Sequence, residues 1–523
     1  MTPVIGESPG ARPAGTSSAG TGERWLISRV HLAEPDGETS RLGPAVDIAI
    51  TGAEIAAVLP HDPTRRAGDH LDGAGRLALP GLVNGHTHSH EILYRGRYEK
   101  SPLELWMNHV RPPWGGPALS DEDVYSRTAL VALEALETGA TCIVDDVALG
   151  AGREAEQLDA VLRAYTDAGL RAFVAPTLFD CSFATAVPWA EELPSAVRDL
   201  PAPPGRRLLA LAAELVHSRR PGEDIVCGAF APSAPHRCSP GFLEEVASAA
   251  DGQAPILTHV CETRLQAVTA QRRYGRTMVA ELDEAGVLGP LTTAIHGVWL
   301  RPDDLARLAQ AGATVQHNPV SNLRLGSGIA PVAALRTAGV RVSLGSDGCA
   351  SCVSTGMLDA VRMASLLHSL RGTEPRQWVT TAEAYAMGSA AGAEALGLGD
   401  RLGRIGPGQL ADLCLYELQG PGMTPLHDPL AQLVHAPAGR SPSHVIVSGR
   451  ILVAEGLART LDVTRVRARA RELHDRVRSR LDEDDRRVLT LRAGYGRILA
   501  RAAREPIPHD TIPARLADGA VTS

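Results

Sequence analysis

Aromatic side chains are scarce in this chain, at 4% of 523 residues, which leaves little from which to build base-stacking platforms for nucleic acid. A basic block is missing as well: the net charge is -8, so a nucleic acid is not the expected partner. No apolar run approaches the ~18 residues that span a bilayer, and no membrane association is expected. The eight cysteines lie scattered from Cys142 to Cys414, too thinly for a secreted disulfide framework. Lysine is all but absent. Lys100 is the only one, and arginine supplies the remaining fixed positive charge. These absences point to a cytoplasmic protein that acts on small molecules.

What is present suits a large core: 44% of residues are hydrophobic and 52 are glycines. The length exceeds one ordinary domain, although a single α/β barrel fills ~250 residues. Residues 1–23 are rich in Gly, Ser, Pro and Ala with no apolar stretch, and are expected to be a disordered tail, not a signal peptide. Short β-like runs follow at Trp25–Ser28, Val46–Ile50 and Ile55–Leu59, and return late at Gly403–Gly408, Ala411–Tyr416 and His444–Arg450. The two sets are expected to close into one small β-sandwich domain, residues 24–78 with 403–461. Between them, over 79–402, strand-like runs alternate with helical ones such as Asp121–Thr138 and Pro240–Ala250. The strands centre on Leu82–His88, Thr141–Asp145, Ala172–Ala175, Val226–Phe230, Ile256–His259, Thr293–His296, Ala313–His317 and Val342–Asp347. Eight such units imply a (β/α)8 TIM-like barrel in an α/β fold, with its active site at the carboxyl ends of the strands. Residues 462–523 form a C-terminal helical extension, with Val466, Leu473, Val477, Leu481, Val488 and Leu491 at roughly helical spacing.

The chemistry starts at Pro80-Gly81-Leu82-Val83-Asn84-Gly85-His86-Thr87-His88. An apolar strand ends in two histidines one residue apart, and the pleat turns residues i and i+2 to one side. Further strands end in His259 (with Glu262 three residues on), His296 and Asp347. His86, His88, His259 and Asp347 offer three nitrogens and one oxygen to one divalent metal ion, zinc first, with iron or manganese as alternatives. Such an ion lowers the pKa of bound water to about 7, which gives hydroxide at neutral pH. Asp347 can take the proton, Glu262 can protonate a ring nitrogen, and His296 can stabilise developing charge. Attack on a C=N carbon with loss of ammonia or amine is the natural reaction. Cys349 and Cys352 have C-x-x-C spacing, but no second cysteine pair accompanies them for a zinc ribbon.

These segments resemble the amidohydrolase superfamily, in particular its aminohydrolase branch of purine, pterin and cytosine deaminases and triazine hydrolases. The motifs are the His86/His88 strand, Thr258–Thr263, Ile295-His296, His317–Gly328 and Leu344–Gly348. The resemblance runs from about Trp25 to Leu461 and implies the barrel, the β-sandwich and a homodimer or larger homo-oligomer. Binuclear members bridge two metals with a carboxylated lysine on the fourth strand. Lys100 lies too early for that, so a single metal is favoured.

Substrate contacts are expected from Glu91, Trp106, Ser233 and Asn322. Relatives often carry glutamine at the first of these positions and histidine at the third, so this chain departs from them. Glu91 would favour a cationic or amine-bearing substrate, unless it pairs with Arg95 or Arg97. The expected substrate is an amino- or guanidino-substituted nitrogen heterocycle. Alternatives are hydrolysis of a cyclic amide, displacement of halide or alkylamine in the manner of triazine hydrolases, and, more remotely, a catalytically dead scaffold.

Overall fold

The computed structural model describes residues 24–65, 69–201, 203–371, 374–436, 438–508 and 510–514. The expected N-terminal tail lies outside them.

Eight parallel strands form the centre: Leu82–Thr87, Ala140–Val147, Arg171–Leu178, Val226–Gly228, Ile256–Val260, Thr292–His296, Thr314–His317 and Arg341–Leu344. The first four belong to one hydrogen-bonded sheet and the last four to another. The sheets meet at two seams. At one, Phe230 bridges Ile256 in parallel, and Leu257 N–H donates to Phe230 O at 2.8 Å. At the other, Asp347 N–H donates to His86 O at 3.0 Å, and the Asn84 side chain exchanges hydrogen bonds with Ser346. The ring therefore closes as a (β/α)8 barrel.

Every residue of Ala140–Val147 and Arg171–Leu178 is buried, as strands covered on both faces must be. Alternate residues serve two cores. Cys142, Val144, Phe173, Ala175, Leu257 and Ile295 fill the barrel interior. Ile143, Ala172, Val174, Ile256 and Ala294 pack outward against the surrounding helices. His259 shares the inward parity of Leu257, which carries it to the mouth. The helix Asp121–Glu137 starts with a capping box: Ser120 Oγ accepts from Asp123 N, and Asp123 returns a bond to Ser120 N.

Both ends of the chain build one nine-stranded sheet. Its path runs through 457–458, 450–454, 444–447, 413–417, 76–80, 24–36, 39–51 and 54–60, with 69–72 on the side of 24–36. Leu413–Glu417 pairs antiparallel with Arg76–Pro80, so the late strand lies beside the one that leads into the barrel. Arg171 locks the sheet to the barrel through a buried two-pronged bond to Asp412, 3.1 Å on each prong. The β-like reading of Gly403–Gly408 is corrected: the segment turns instead of extending. Gly403 and Gly408 have φ of 87° and 82°, in the left-handed region that glycine reaches without strain.

The C-terminal helices Val463–Leu489 and Arg492–Arg504 lie along the barrel. Val466, Leu473, Val477, Leu481 and Val488 face inward. Asp485 accepts from His109 Nδ1 at 2.7 Å, Tyr98 OH at 3.0 Å and Arg97 at 2.7 Å. Those bonds brace the short helix Leu103–Val110, which carries Trp106 to the barrel mouth. Among the described residues no helix is long and apolar enough to cross a membrane.

Candidate active site

His86, His88, His259, His296, Glu262 and Asp347 converge at the carboxyl ends of four strands. His86 Nε2 lies 3.4 Å from Asp347 Oδ1, and His88 Nε2 lies 3.5 Å from the same oxygen. The His86 ring sits 4.6 Å from His88 and 4.9 Å from His259, centre to centre. The ligating atoms of His86, His88 and Asp347 fall within 4.8 Å of one another, as do those of His86, His259 and His296. Backbone geometry helps aim these groups: His296 and Asp347 have φ of 72° and 66°, a strained conformation for residues other than glycine and one that gathers at functional sites.

The hydrogen-bond pattern suits a bound cation. His88 Nδ1 faces Asp146 O at 2.7 Å, and His259 Nδ1 faces Ser233 O at 2.6 Å. A carbonyl can only accept, so each ring carries its proton on Nδ1 and turns an Nε2 lone pair inward. That outer support is typical of metal-bound imidazoles. His86 is wholly buried, and among the described residues neither of its ring nitrogens has a hydrogen-bond partner. Such an orphaned polar ring is costly to bury without a ligand. Burial pushes the Asp347 carboxyl up, but the imidazoles of His86, His296 and His88 outweigh it and hold the group well below its usual range. The donor set therefore fits a divalent metal ion.

Two further groups flank the cluster. Burial and the nearby Asp347 push the Glu262 carboxyl well above its usual range, which favours its protonated form. Among the described residues its one side-chain donor is Ser327 Oγ at 3.3 Å, and its Oε2 lies 3.6 Å from His296 Nε2. Burial lowers His296 to about 4, and its Nδ1 donates to Asn322 Oδ1 at 2.8 Å. Asn322 thus sits behind His296 and is not among the residues lining the cavity. It reaches the site through the ring it orients, where a direct substrate contact was expected.

A cavity opens over this cluster. Glu91, Trp106 and Ser233 all line it. The alternative pairing of Glu91 is ruled out: Arg95 pairs with Glu134, and Arg97 pairs with Asp482 and Asp485. Burial raises Glu91 to about 7, and its Oε2 accepts from Ala350 N–H at 3.3 Å. The carboxyl fits only because residue 348 is glycine, since an added Cβ there would overlap Glu91 Oε2. Gly348 has φ of -80°, a conformation alanine also adopts, so Gly348→Ala should fold yet displace Glu91. KM for an amine-bearing substrate is expected to rise at least ~10-fold, as for a lost charged hydrogen bond. An unchanged KM would show that Glu91 does not meet the substrate.

Arg111, His236, Arg237 and Gln266 also line the cavity, and none was singled out from sequence. His236 and Arg237 follow Ser233 within three and four residues, on the single 3-10 turn Pro235–Arg237. That turn offered the only local signal. Cys349 and Cys352 are buried and free of disulfide, on a short helix directly after Asp347. Lys100 sits in a loop between the first barrel strand and the helix Leu103–Val110, off every barrel strand.

Comparison with known proteins fits this geometry. Residues 77–452 match the amidohydrolase family. A 5-methylthioadenosine/S-adenosylhomocysteine deaminase of Syntrophobacter fumaroxidans is 33% identical over 446 residues, 84% of this chain and 94% of that one. A 5'-deoxyadenosine deaminase of Methanothermobacter thermautotrophicus is 34% identical over 394 residues, covering 75% of this chain and 85% of the relative. Among solved structures, an adenosine deaminase from Xanthomonas campestris with bound zinc superposes with a TM-score of 0.76 at 29% identity, over 87% of this chain and 98% of that one. An atrazine chlorohydrolase from Arthrobacter aurescens complexed with zinc gives 0.76 at 26% identity, over 86% and 100%. The chain belongs to the amidohydrolase family and is a metal-dependent hydrolase of carbon–nitrogen bonds.

Proposed function

We propose that this enzyme releases ammonia from an amino-substituted nitrogen heterocycle, with an adenine ring as the first to test, and that it does so with one zinc ion. In this reading His86, His88, His259 and Asp347 hold the ion. The observation that carries it is the pair of imidazoles, His88 and His259, whose Nδ1 protons are tied to main-chain carbonyls beside the orphaned His86 and a carboxylate. A divalent ion held there supplies Lewis acidity that brings water deprotonation down to neutral pH. Three nitrogens and one oxygen favour zinc, and the lack of any lysine on a barrel strand favours a single ion.

The protein's own groups divide the proton work. Asp347, kept low by its imidazole neighbours, accepts the proton of the attacking water. Glu262, whose protonated form burial favours, donates to the ring nitrogen next to the attacked carbon. His296, neutral and fixed by Asn322, holds the polar atoms of the addition intermediate in place. Glu91 meets the amine-bearing edge of the heterocycle, and Trp106 offers its ring as a flat wall. The eight free cysteines suit a reducing compartment, in keeping with a cytoplasmic enzyme. A homo-oligomer is the assembly the family resemblance implies.

The deaminase relatives support adenosine-type substrates, and the chlorohydrolase neighbour supports a second reading in which halide leaves instead. Zinc-loaded protein assayed on adenosine, 5'-deoxyadenosine, 5'-methylthioadenosine, aminotriazines and chlorotriazines separates the two. Ammonia release from an adenine compound is expected. Chloride release without ammonia would transfer the assignment to the second reading, and neither product would sink both.

A further inference from the structure

We infer that residues 510–514 strap two loops of the barrel mouth together and thereby position Glu262, with Arg371 as the positioning residue that ties the strap to its loop. The role of Glu262 in it rests on the proposed function, whereas the strap itself is testable without turnover.

Glu262 is buried, and among the described residues Ser327 Oγ, 3.3 Å from Oε1, is its one side-chain donor. That bond sets which oxygen turns toward His296, whose Nε2 lies 3.6 Å from Oε2. It is already long for a hydroxyl donor, so a small displacement of Ser327 breaks it. Ser327 lies between helices, in the connection after the seventh barrel strand. From the barrel side, its N–H donates to Asn322 O at 2.8 Å and its carbonyl accepts from Trp299 Nε1 at 3.0 Å.

The other hold on this loop comes from the end of the chain. Ile329 N–H donates to Ala514 O at 2.7 Å, and Ile512 N–H donates to Leu300 O at 2.9 Å. One short stretch of main chain thus joins the loop of Ser327 to the loop that follows His296 on the sixth strand. Arg371 closes the arrangement, because its guanidinium donates both to Ile329 O, at 2.5 Å, and to Pro513 O. Arg301 grips Asp510 with two prongs, at 3.1 Å and 2.8 Å. The loop is shaped for this contact. Gly328 has φ of 128°, and an added Cβ there would stand 2.6 Å from Ala514 O, so only glycine lets the strap lie so close. Ala514 is buried against it. The strap lies beyond residues 77–452, the segment that matches the family.

Two measurements on the full-length zinc-loaded enzyme test this. In the first, amide hydrogen exchange is followed by mass spectrometry in wild type, Arg371→Gln and Asp510→Asn. Residues 325–331 should exchange at least ~10-fold faster in each variant that folds, as for a lost charged hydrogen bond. Asp510→Asn, at a partly exposed ion pair, keeps the test alive should Arg371→Gln fail to fold. In the second, kcat, KM and zinc content are measured on the adenine compound that releases ammonia, in the same variants, in Ser327→Ala and in Arg371→Gln combined with Ser327→Ala. In the strap variants kcat should fall at least ~10-fold while KM and zinc content stay within ~2-fold, because misplacing a reacting group by ~1 Å costs up to ~10²-fold. The double variant should be no slower than Ser327→Ala, since both changes break one link. Unchanged exchange or unchanged kcat in the strap variants refutes the inference. So do losses that multiply in the double variant, or zinc lost along with kcat, either of which would make Arg371 merely structural. If no compound is turned over, the deaminase reading falls, while the exchange data still decide whether the strap holds the loop.

Discussion

Replacing Asp347 with asparagine is expected to cost at least ~10⁴-fold in kcat, since a general base alone contributes ~10²–10⁴ and the proposed mechanism makes this residue a metal ligand as well. Its Oδ1 lies 3.4 Å and 3.5 Å from two of those rings, and the imidazoles hold its carboxyl well below the usual range. Asparagine preserves the shape, and the Gly348 N–H bond at 2.9 Å can still form. The negative charge and the proton-accepting capacity are both lost. Metal content should fall with activity, because three neutral imidazoles compensate a dication less well than three imidazoles and a carboxylate. Inductively coupled plasma analysis beside steady-state kinetics checks both parts. An asparagine variant that kept its metal and its kcat would remove Asp347 from the mechanism.

Much of this site is legible in the amino-acid sequence, for a physical reason. Barrel strands alternate strictly, and their carboxyl ends share one rim, so a histidine or carboxylate that closes a strand is placed by topology alone. That reasoning reaches His86, His88, His259, His296 and Asp347. It stops at residues placed by loops and by distant packing. Arg111 follows the helix that carries Trp106, and that helix is held by Asp485 on the C-terminal helix, a contact that no local pattern announces. Arg237 has the same problem, since only the short turn Pro235–Arg237 carries it to the cavity. Asn322 fails in another way: a polar residue in a motif can touch substrate or touch the residue that does, and only its position in the folded chain separates the two. In the satellite sheet, strand runs with β-branched residues read correctly. Gly403–Gly408 did not, because glycine-rich segments extend and turn with equal ease.

Glu262→Gln is the second large effect. Burial and Asp347 raise this carboxyl well above its ordinary range, and Ser327 Oγ is its one side-chain donor among the described residues. Both causes favour the protonated, proton-donating form of a group that faces a cavity shared with His296 and Asp347. Glutamine can still accept the Ser327 bond and fill the volume, but it has no proton to transfer to a ring nitrogen. kcat is expected to fall by ~10²–10⁴-fold with KM changed little, because binding the ring needs only a hydrogen-bond donor, which the amide provides. The pH profile gives a sharper criterion. Activity that depends on the protonated form declines as pH rises through the raised pKa, so wild type should show an alkaline limb in kcat. The glutamine variant should lack that limb and keep the rest of the profile. Retention of the alkaline limb in the variant would assign it to another group and leave Glu262 as a hydrogen-bond donor only.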